Sequence, residues 1–335
     1  MIQYNDIRDV HLEISSLCNA SCPWCPRTFW GYPYNGGYPE HNLTLGDAKA
    51  IFKDSFLKQL ISIHINGNFG DIVMNPDGPD IVEYFKNANP ALQVLISTNG
   101  SARDRQFWIK LAQTKAQVSF CLDGLEDTHH LYRQNTSWKT IIKNAKTFIE
   151  AGGIATWKFI VFDHNRHQIE QCRQLSTELG FLNFDVVHGD RTVAPVFNKT
   201  GKLTHTLGNY TGEKDFKILF HKKKTDLILL EDITPGKKPK SKITCQTQTL
   251  KSIYISATGE VSPCCWTGFY PHTYGAGQYH RAVNAQLIPL IAKNNALEHP
   301  LEECISWFSN ITAQWNSNTY ENGRLVVCDD NCGSE

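Results

Sequence analysis

Three cysteines open the chemistry of this chain. Cys18, Cys22 and Cys25 stand in the segment CNASCPWC with C-x3-C-x2-C spacing. Three thiolates at that spacing can ligate three irons of a 4Fe–4S cube and leave the fourth iron open. An open iron can chelate a small ligand through an amine and a carboxylate and pass it an electron. A zinc ion is the other reading, although zinc normally takes four ligands and no fourth is evident nearby. A second set lies late in the chain: Cys245, Cys264, Cys265, Cys304, Cys328 and Cys332. Cys121 and Cys172 stand alone.

The first triad needs a loop at the end of a strand, and the sequence supplies one. Residues 9–15 read as a short strand ending just before Cys18. Strands then alternate with helices: strands over 61–67, 92–100, 116–124, 155–162 and 182–188, and helices over 43–60, 79–88, 103–114, 138–153 and 164–181. Thr44 is the expected N-cap of the first helix. This alternation implies parallel pairing with right-handed crossovers. The expected fold is α/β, a partial (β/α)6 TIM-like barrel, with function at the C-terminal ends of its strands. Residues 189–242 lose the rhythm and carry HKKK and KKPKSK, read as solvated loop. From 245 a smaller α+β unit begins, with a β-hairpin over 252–264 turned at Gly259. The expected division is 1–188 barrel, 189–242 connector or lid, and 243–335 C-terminal iron–sulfur unit.

Composition narrows the function classes. The 335 residues carry 33 basic and 33 acidic side chains, a formal net charge of zero. Proteins that hold nucleic acid through phosphates usually carry a basic excess, so a nucleic-acid partner is disfavoured. No apolar run approaches the roughly 20 residues that span a bilayer. No basic segment followed by an apolar stretch opens the sequence, so the expected location is cytoplasmic. Eleven cysteines, an odd number at short spacings, point to metal ligation rather than disulfides.

The cysteine spacing, with Trp24 before the third cysteine, resembles the radical S-adenosylmethionine (SAM) superfamily. Further segments resemble its motifs in order. INGNFGD (65–71) resembles the segment that contacts the methionine amino group, with Gly67, Asn68, Gly70 and Asp71 where Gly-Gly-Glu-Pro is usual. ISTNG (96–100) resembles the third-strand motif and puts Ser97 and Asn99 near the ribose. VSFCLDG followed by Arg133 resembles the fourth-strand motif, with Cys121 at the usual serine and Asp123 at the aspartate. The resemblance implies that Arg133 pairs with the methionine carboxylate, which suits its bidentate fork. Asn165 lies in a segment resembling the region that touches adenosine.

The late cysteines resemble the SPASM and Twitch auxiliary-cluster domains. That resemblance implies one auxiliary 4Fe–4S cluster held by Cys245, Cys264, Cys328 and Cys332; a zinc site with the same four ligands is the alternative. Cys304 and Cys172 read as core residues. Cys265 could ligate iron, give a hydrogen atom to a substrate radical, or only pack.

The implied activity is reductive cleavage of SAM to a 5′-deoxyadenosyl radical that takes hydrogen from a peptide or small molecule. A flavodoxin- or ferredoxin-like protein would donate the electron. Oxidation or crosslinking using the auxiliary cluster is the main expectation. Redox-neutral epimerisation or group transfer with a thiol hydrogen donor is the second, and a non-enzymatic electron carrier the third.

Overall fold

The computed structural model describes residues 2–33, 38–188, 194–208, 238–240, 242–269, 271, 277–291 and 294–334. Six parallel strands appear in chain order: β1 (Asp9–Leu12), β2 (Ser62–Ile65), β3 (Gln93–Thr98), β4 (Gln117–Cys121), β5 (Ile154–Ile160) and β6 (Asn183–Val187). This is the partial barrel expected from the alternation. Two further strands come from the C-terminal part. β7 (Ser252–Ile255) pairs parallel with the free edge of β1, and β8 (Val261–Ser262) pairs antiparallel with β7. The hairpin placed by sequence in the second unit therefore continues the barrel sheet, which reaches eight strands in the order β8-β7-β1-β2-β3-β4-β5-β6. Gly259 turns it at φ +86°, a region glycine enters without a Cβ clash.

β1, β3, β4 and β5 alternate between buried and less buried residues. Val94, Ile96 and Thr98 are buried against the helix layer, and Leu95 and Ser97 point the other way. Trp157 and Phe159 on β5 do the same with Thr156 and Lys158. The register sets Ser97, Ser119 and Thr156 side by side on adjacent strands, with Cys121 beside Lys158. These rows face the barrel interior because the alternate residues face the helices. One continuous apolar core fills the layer between, from Ile7 to Phe308.

The helix expected over 43–60 is two, α1 (Leu45–Ile51) and α2 (Asp54–Gln59). Thr44 caps α1: its Oγ1 accepts from Asp47 N (3.0 Å), and Asp47 Oδ2 accepts from Thr44 N (2.9 Å). The chain extends at Phe52 and Lys53, and Phe52 sinks against Phe56 and Phe85. Tyr84 Oη donates to the Phe52 carbonyl at 2.7 Å, satisfying a carbonyl at the break. The helices that follow are α3 (Gly78–Ala88), α4 (Arg105–Gln113), α5 (Glu126–Tyr132), α6 (Trp138–Glu150) and α7 (Ile169–Glu178). α5 is absent from the sequence expectations; it is short and polar, with Thr128, His129 and Tyr132 buried.

Of the connector expected over 189–242, residues 194–208 form a ribbon, Ala194–Phe197 against Leu203–Leu207, and 209–237 lie outside the described residues. Ala194, Val196 and Leu207 pack with Cys22, Tyr132 and Phe162, beside the first cysteine loop. Among the described residues no helix is long and apolar enough to cross a membrane.

Candidate functional site

The loop after β1 carries Cys18, Cys22 and Cys25 to the C-terminal end of the barrel. Backbone bonds shape it: Cys25 N donates to Cys22 O (3.0 Å) and Thr28 N to Cys25 O (2.9 Å). Thr28 Oγ1 donates to Cys22 O at 2.7 Å. Burial, then the charge of Cys22, pushes the Cys25 thiol up to about 11. Cys18 is pushed up by burial, by Asp71 and by the other two thiols. The three sulfurs are thus mutual neighbours in a place that opposes three bare thiolates. Bound metal removes that opposition, because coordination stabilises the deprotonated sulfur. Among the described residues no group of three ligand side chains converges tightly enough for a single metal ion. A cube puts each thiolate on its own iron and so asks for wider spacing. The donor set fits a 4Fe–4S cluster with one open iron. Trp24 stands edge-on to Trp30, with ring centroids 4.6 Å apart.

The segment after β2 packs backbone against backbone. A Cβ on Gly70 would stand 1.7 Å from the Ser15 carbonyl oxygen, and one on Gly67 would stand 1.9 Å from Gly70 O. The glycines fit this segment against the end of β1, where the cysteine loop starts. The Asp71 carboxylate is buried and occupied. Oδ1 accepts from Thr98 Oγ1 (2.6 Å) and Val73 N (3.1 Å); Oδ2 accepts from Asn99 N (2.7 Å) and Asn99 Nδ2 (2.8 Å). Four donors fill the roughly four lone-pair positions of a carboxylate. Asp71 therefore ties the β2 loop to the end of β3. Asn99 Nδ2 also reaches Asn19 Oδ1 (3.0 Å) and lies 3.6 Å from Cys18 Sγ. Asn68 Nδ2 donates to the Cys265 carbonyl (3.4 Å), linking this segment to the C-terminal part.

On the far side of the triad, Arg133 Nε donates to Asp123 Oδ2 at 2.6 Å, and its Nη1 lies 3.9 Å from Cys22 Sγ. Asp123 Oδ1 accepts from Ile160 N (2.7 Å), which joins the ends of β4 and β5. Asn165 is buried, with its amide spent internally: Oδ1 accepts from Phe162 N (2.7 Å), and Nδ2 donates to Ile160 O (2.9 Å) and Asp123 O (3.2 Å). It holds the loop that holds Asp123.

Two residues here carry no sequence-level assignment. His129 Nδ1 accepts from Asp123 N (3.2 Å), and its Nε2 lies 3.0 Å from Thr136 Oγ1. Burial, then Arg133, lowers its pKa to about 3, so the ring is neutral and positions the Asp123 turn. Glu13 is fully buried and accepts from Tyr254 Oη (2.5 Å) and Phe69 N (3.0 Å). Its place two residues before Ser15 was its only signal, since alternation aims it into the barrel.

The late cysteines gather as well. Lys242–Ile243 pairs antiparallel with Gly333–Ser334, and Thr244 N donates to Cys332 O at 2.9 Å. This brings Cys245 beside Cys332. The hairpin delivers Cys264, and the helix Val326–Cys332 carries Cys328 and Cys332. After burial, the charges of Cys264, Cys245 and Cys332 push the Cys328 thiol up; burial lifts Cys264 to about 12. The four expected ligands are neighbours. Arg324 and Asp329 brace them in a buried ion pair (Nη2 to Oδ1, 2.7 Å), and Tyr320 Oη donates to Asp329 Oδ2 (2.8 Å). Burial, and to a lesser extent the charge of Glu13, pushes the Cys265 thiol up. Cys304 and Cys172 are fully buried in the main core.

No protein-family model and no curated protein sequence matches this chain. Solved structures do. Streptococcus suis SuiB bound to S-adenosylmethionine is similar with TM-score 0.59 and 16% identity, over 97% of this chain and 73% of that one. SuiB bound to its precursor peptide SuiA is similar with TM-score 0.55 and 14% identity, over 95% and 66%. Native anSMEcpe with bound AdoMet gives TM-score 0.53 and 16% identity, over 97% and 89%. At these identities the likeness is one of fold: the chain has the fold of these radical SAM enzymes.

Proposed function

We propose that this chain is a radical SAM enzyme whose Cys18, Cys22 and Cys25 hold a 4Fe–4S cluster with SAM on its open iron. When bound, that cluster would supply the electron that splits SAM into methionine and the radical that takes hydrogen from an unactivated carbon. The observation that carries the reading is one arrangement. Three thiols, the Arg133 fork and the Asn99 amide meet at the C-terminal ends of the parallel strands.

The chain's own residues bind and orient. Arg133 spends Nε on Asp123 and keeps Nη groups for a carboxylate. Gly67, Asn68 and Gly70 present the segment that would receive the methionine amine. Asp71 holds that segment to Asn99. Ser97 and Cys121 line the interior face where a ribose would sit. Trp24 is assigned to the adenine side, and Asn165 holds the loop that carries Asp123.

Cys245, Cys264, Cys328 and Cys332 would hold an auxiliary 4Fe–4S cluster able to accept the second electron of an oxidation or crosslink. A peptide substrate is favoured by the likeness to SuiB, solved with a precursor peptide; a small molecule is the alternative. A flavodoxin- or ferredoxin-like protein in the cytoplasm would be the electron donor. One observation favours a second reading. The Cys265 carbonyl accepts from Asn68 Nδ2 at 3.4 Å, which sets this cysteine beside the segment after β2. Its thiol could return a hydrogen atom to a substrate radical, making the reaction an epimerisation, with an external electron and a solvent proton restoring the thiol from the thiyl radical.

The test is anaerobic reconstitution with iron and sulfide. Dithionite should then turn SAM into 5′-deoxyadenosine, and protein that binds iron without doing so sinks the reading. Iron should count about eight per chain for two cubes. Solvent deuterium in product, lost in Cys265→Ala, would select the epimerase.

A further inference from the structure

We propose that Trp315 and Thr247 donate hydrogen bonds to the sulfurs of Cys328 and Cys245 and thereby raise the reduction potential of the auxiliary cluster. This rests on the reading that these cysteines hold such a cluster. Trp315 Nε1 is buried and makes no hydrogen bond among the described residues. An indole N–H is only a donor, and leaving it buried and unspent costs about 1–3 kcal/mol. The Cys328 sulfur is near enough for this N–H to favour its charged form. The residue is held in place, because Arg324 Nη1 donates to the Trp315 carbonyl at 2.8 Å while the same guanidinium grips Asp329. Asp329 follows Cys328 directly. Donor and acceptor are thus fixed to one buried ion pair.

Thr247 supplies the second donor. Its Oγ1 lies 3.1 Å from Cys245 Sγ. A metal-bound thiolate carries no proton and can only accept, so there the hydroxyl must donate. Thr267 looks similar at 3.5 Å from Cys264 Sγ, but its hydroxyl also donates to Cys264 O at 2.9 Å. That is a local turn and stands outside the inference. Hydrogen bonds to the sulfurs stabilise the more negative, reduced state and so raise the potential.

The test is an electron-paramagnetic-resonance redox titration of the reconstituted holoenzyme. Trp315→Phe and Thr247→Val remove the donors and keep the shapes. Each should shift the auxiliary reduction equilibrium about tenfold toward the oxidised form, about 59 mV for one electron. The potential of the SAM-binding cluster should not move. Thr247→Ser keeps the hydroxyl and should restore the wild-type value. Should Trp315→Phe lose iron, the Thr247 pair decides. Unchanged potentials at about eight irons per chain would mean that both side chains only pack, which overturns the inference. A wild-type count near four is a different failure: it removes the auxiliary cluster itself before any titration.

Discussion

Arg133 Nε donates to Asp123 Oδ2 across 2.6 Å, and the same guanidinium reaches toward Cys22 Sγ. The pair spans the turn after β4 and the first cysteine loop. It fixes one edge of the guanidinium and leaves the other for a ligand. Arg133→Lys keeps the charge but loses the fork. It should raise the KM for SAM at least tenfold, about 1.4 kcal/mol, in a 5′-deoxyadenosine assay. Asp123→Asn should instead cost stability, because breaking a buried pair leaves a charge uncompensated. The expected loss is about 3 kcal/mol in urea denaturation.

Asp71 should behave as a positioning group. Asp71→Asn replaces one accepting oxygen with an NH2 that faces donors from Thr98 or Asn99. The expected loss is about 2–3 kcal/mol, as for hydrogen bonds to a charged group. Iron content should fall with it, because Asn99 also approaches Cys18. A variant of unchanged stability and iron content would refute the role.

Gly70 should not tolerate a side chain. A Cβ at 1.7 Å from Ser15 O meets backbone that cannot step aside. Gly70→Ala should lose at least about 3 kcal/mol and most of its N-terminal iron. Gly46→Ala is the control: its Cβ would stand 3.4 Å from Thr44 Oγ1, and it should fold. Thermal melts and iron assays of the two read the contrast.

His129 predicts a pH dependence. Its folded pKa lies near 3, and its unfolded pKa near 6.5. Between these values the unfolded chain takes a proton that the folded chain refuses. Stability is therefore fully present above about pH 6.5 and lost as pH falls toward 3. At pH 5 the loss from this group is about 2 kcal/mol relative to pH 7. His164, lowered to about 4 by burial, acts in the same direction. Urea unfolding at both pH values should show a smaller loss in His129→Asn than in the wild type. Equal losses would show that the ring does not hold Asp123 in its neutral form.

Local pattern in the sequence determined much of this molecule. Alternating apolar residues such as Val94 and Ile96 announced each parallel strand, and the helices between them forced right-handed crossovers. Cysteine spacing marked both sets of sulfurs, since ligands that share a loop or a hairpin must sit close in the chain. Tertiary structure decided what distant segments do to one another. That β7 pairs with β1 depends on a free sheet edge, which no local pattern encodes. The break at Phe52 follows from packing against Phe85. Asp71 and Asn165 read in the sequence as candidates for cofactor contact. In the fold their polar atoms are taken up by Thr98, Asn99, Phe162 and Asp123, because a buried polar group must find a partner wherever the chain brings one. His129 and Trp315 left no signal at all, and Glu13 left only the alternation that aims it into the barrel. Their roles exist only because folding buries a ring nitrogen, a carboxylate and an indole N–H beside particular groups, for Glu13 as far away as Tyr254.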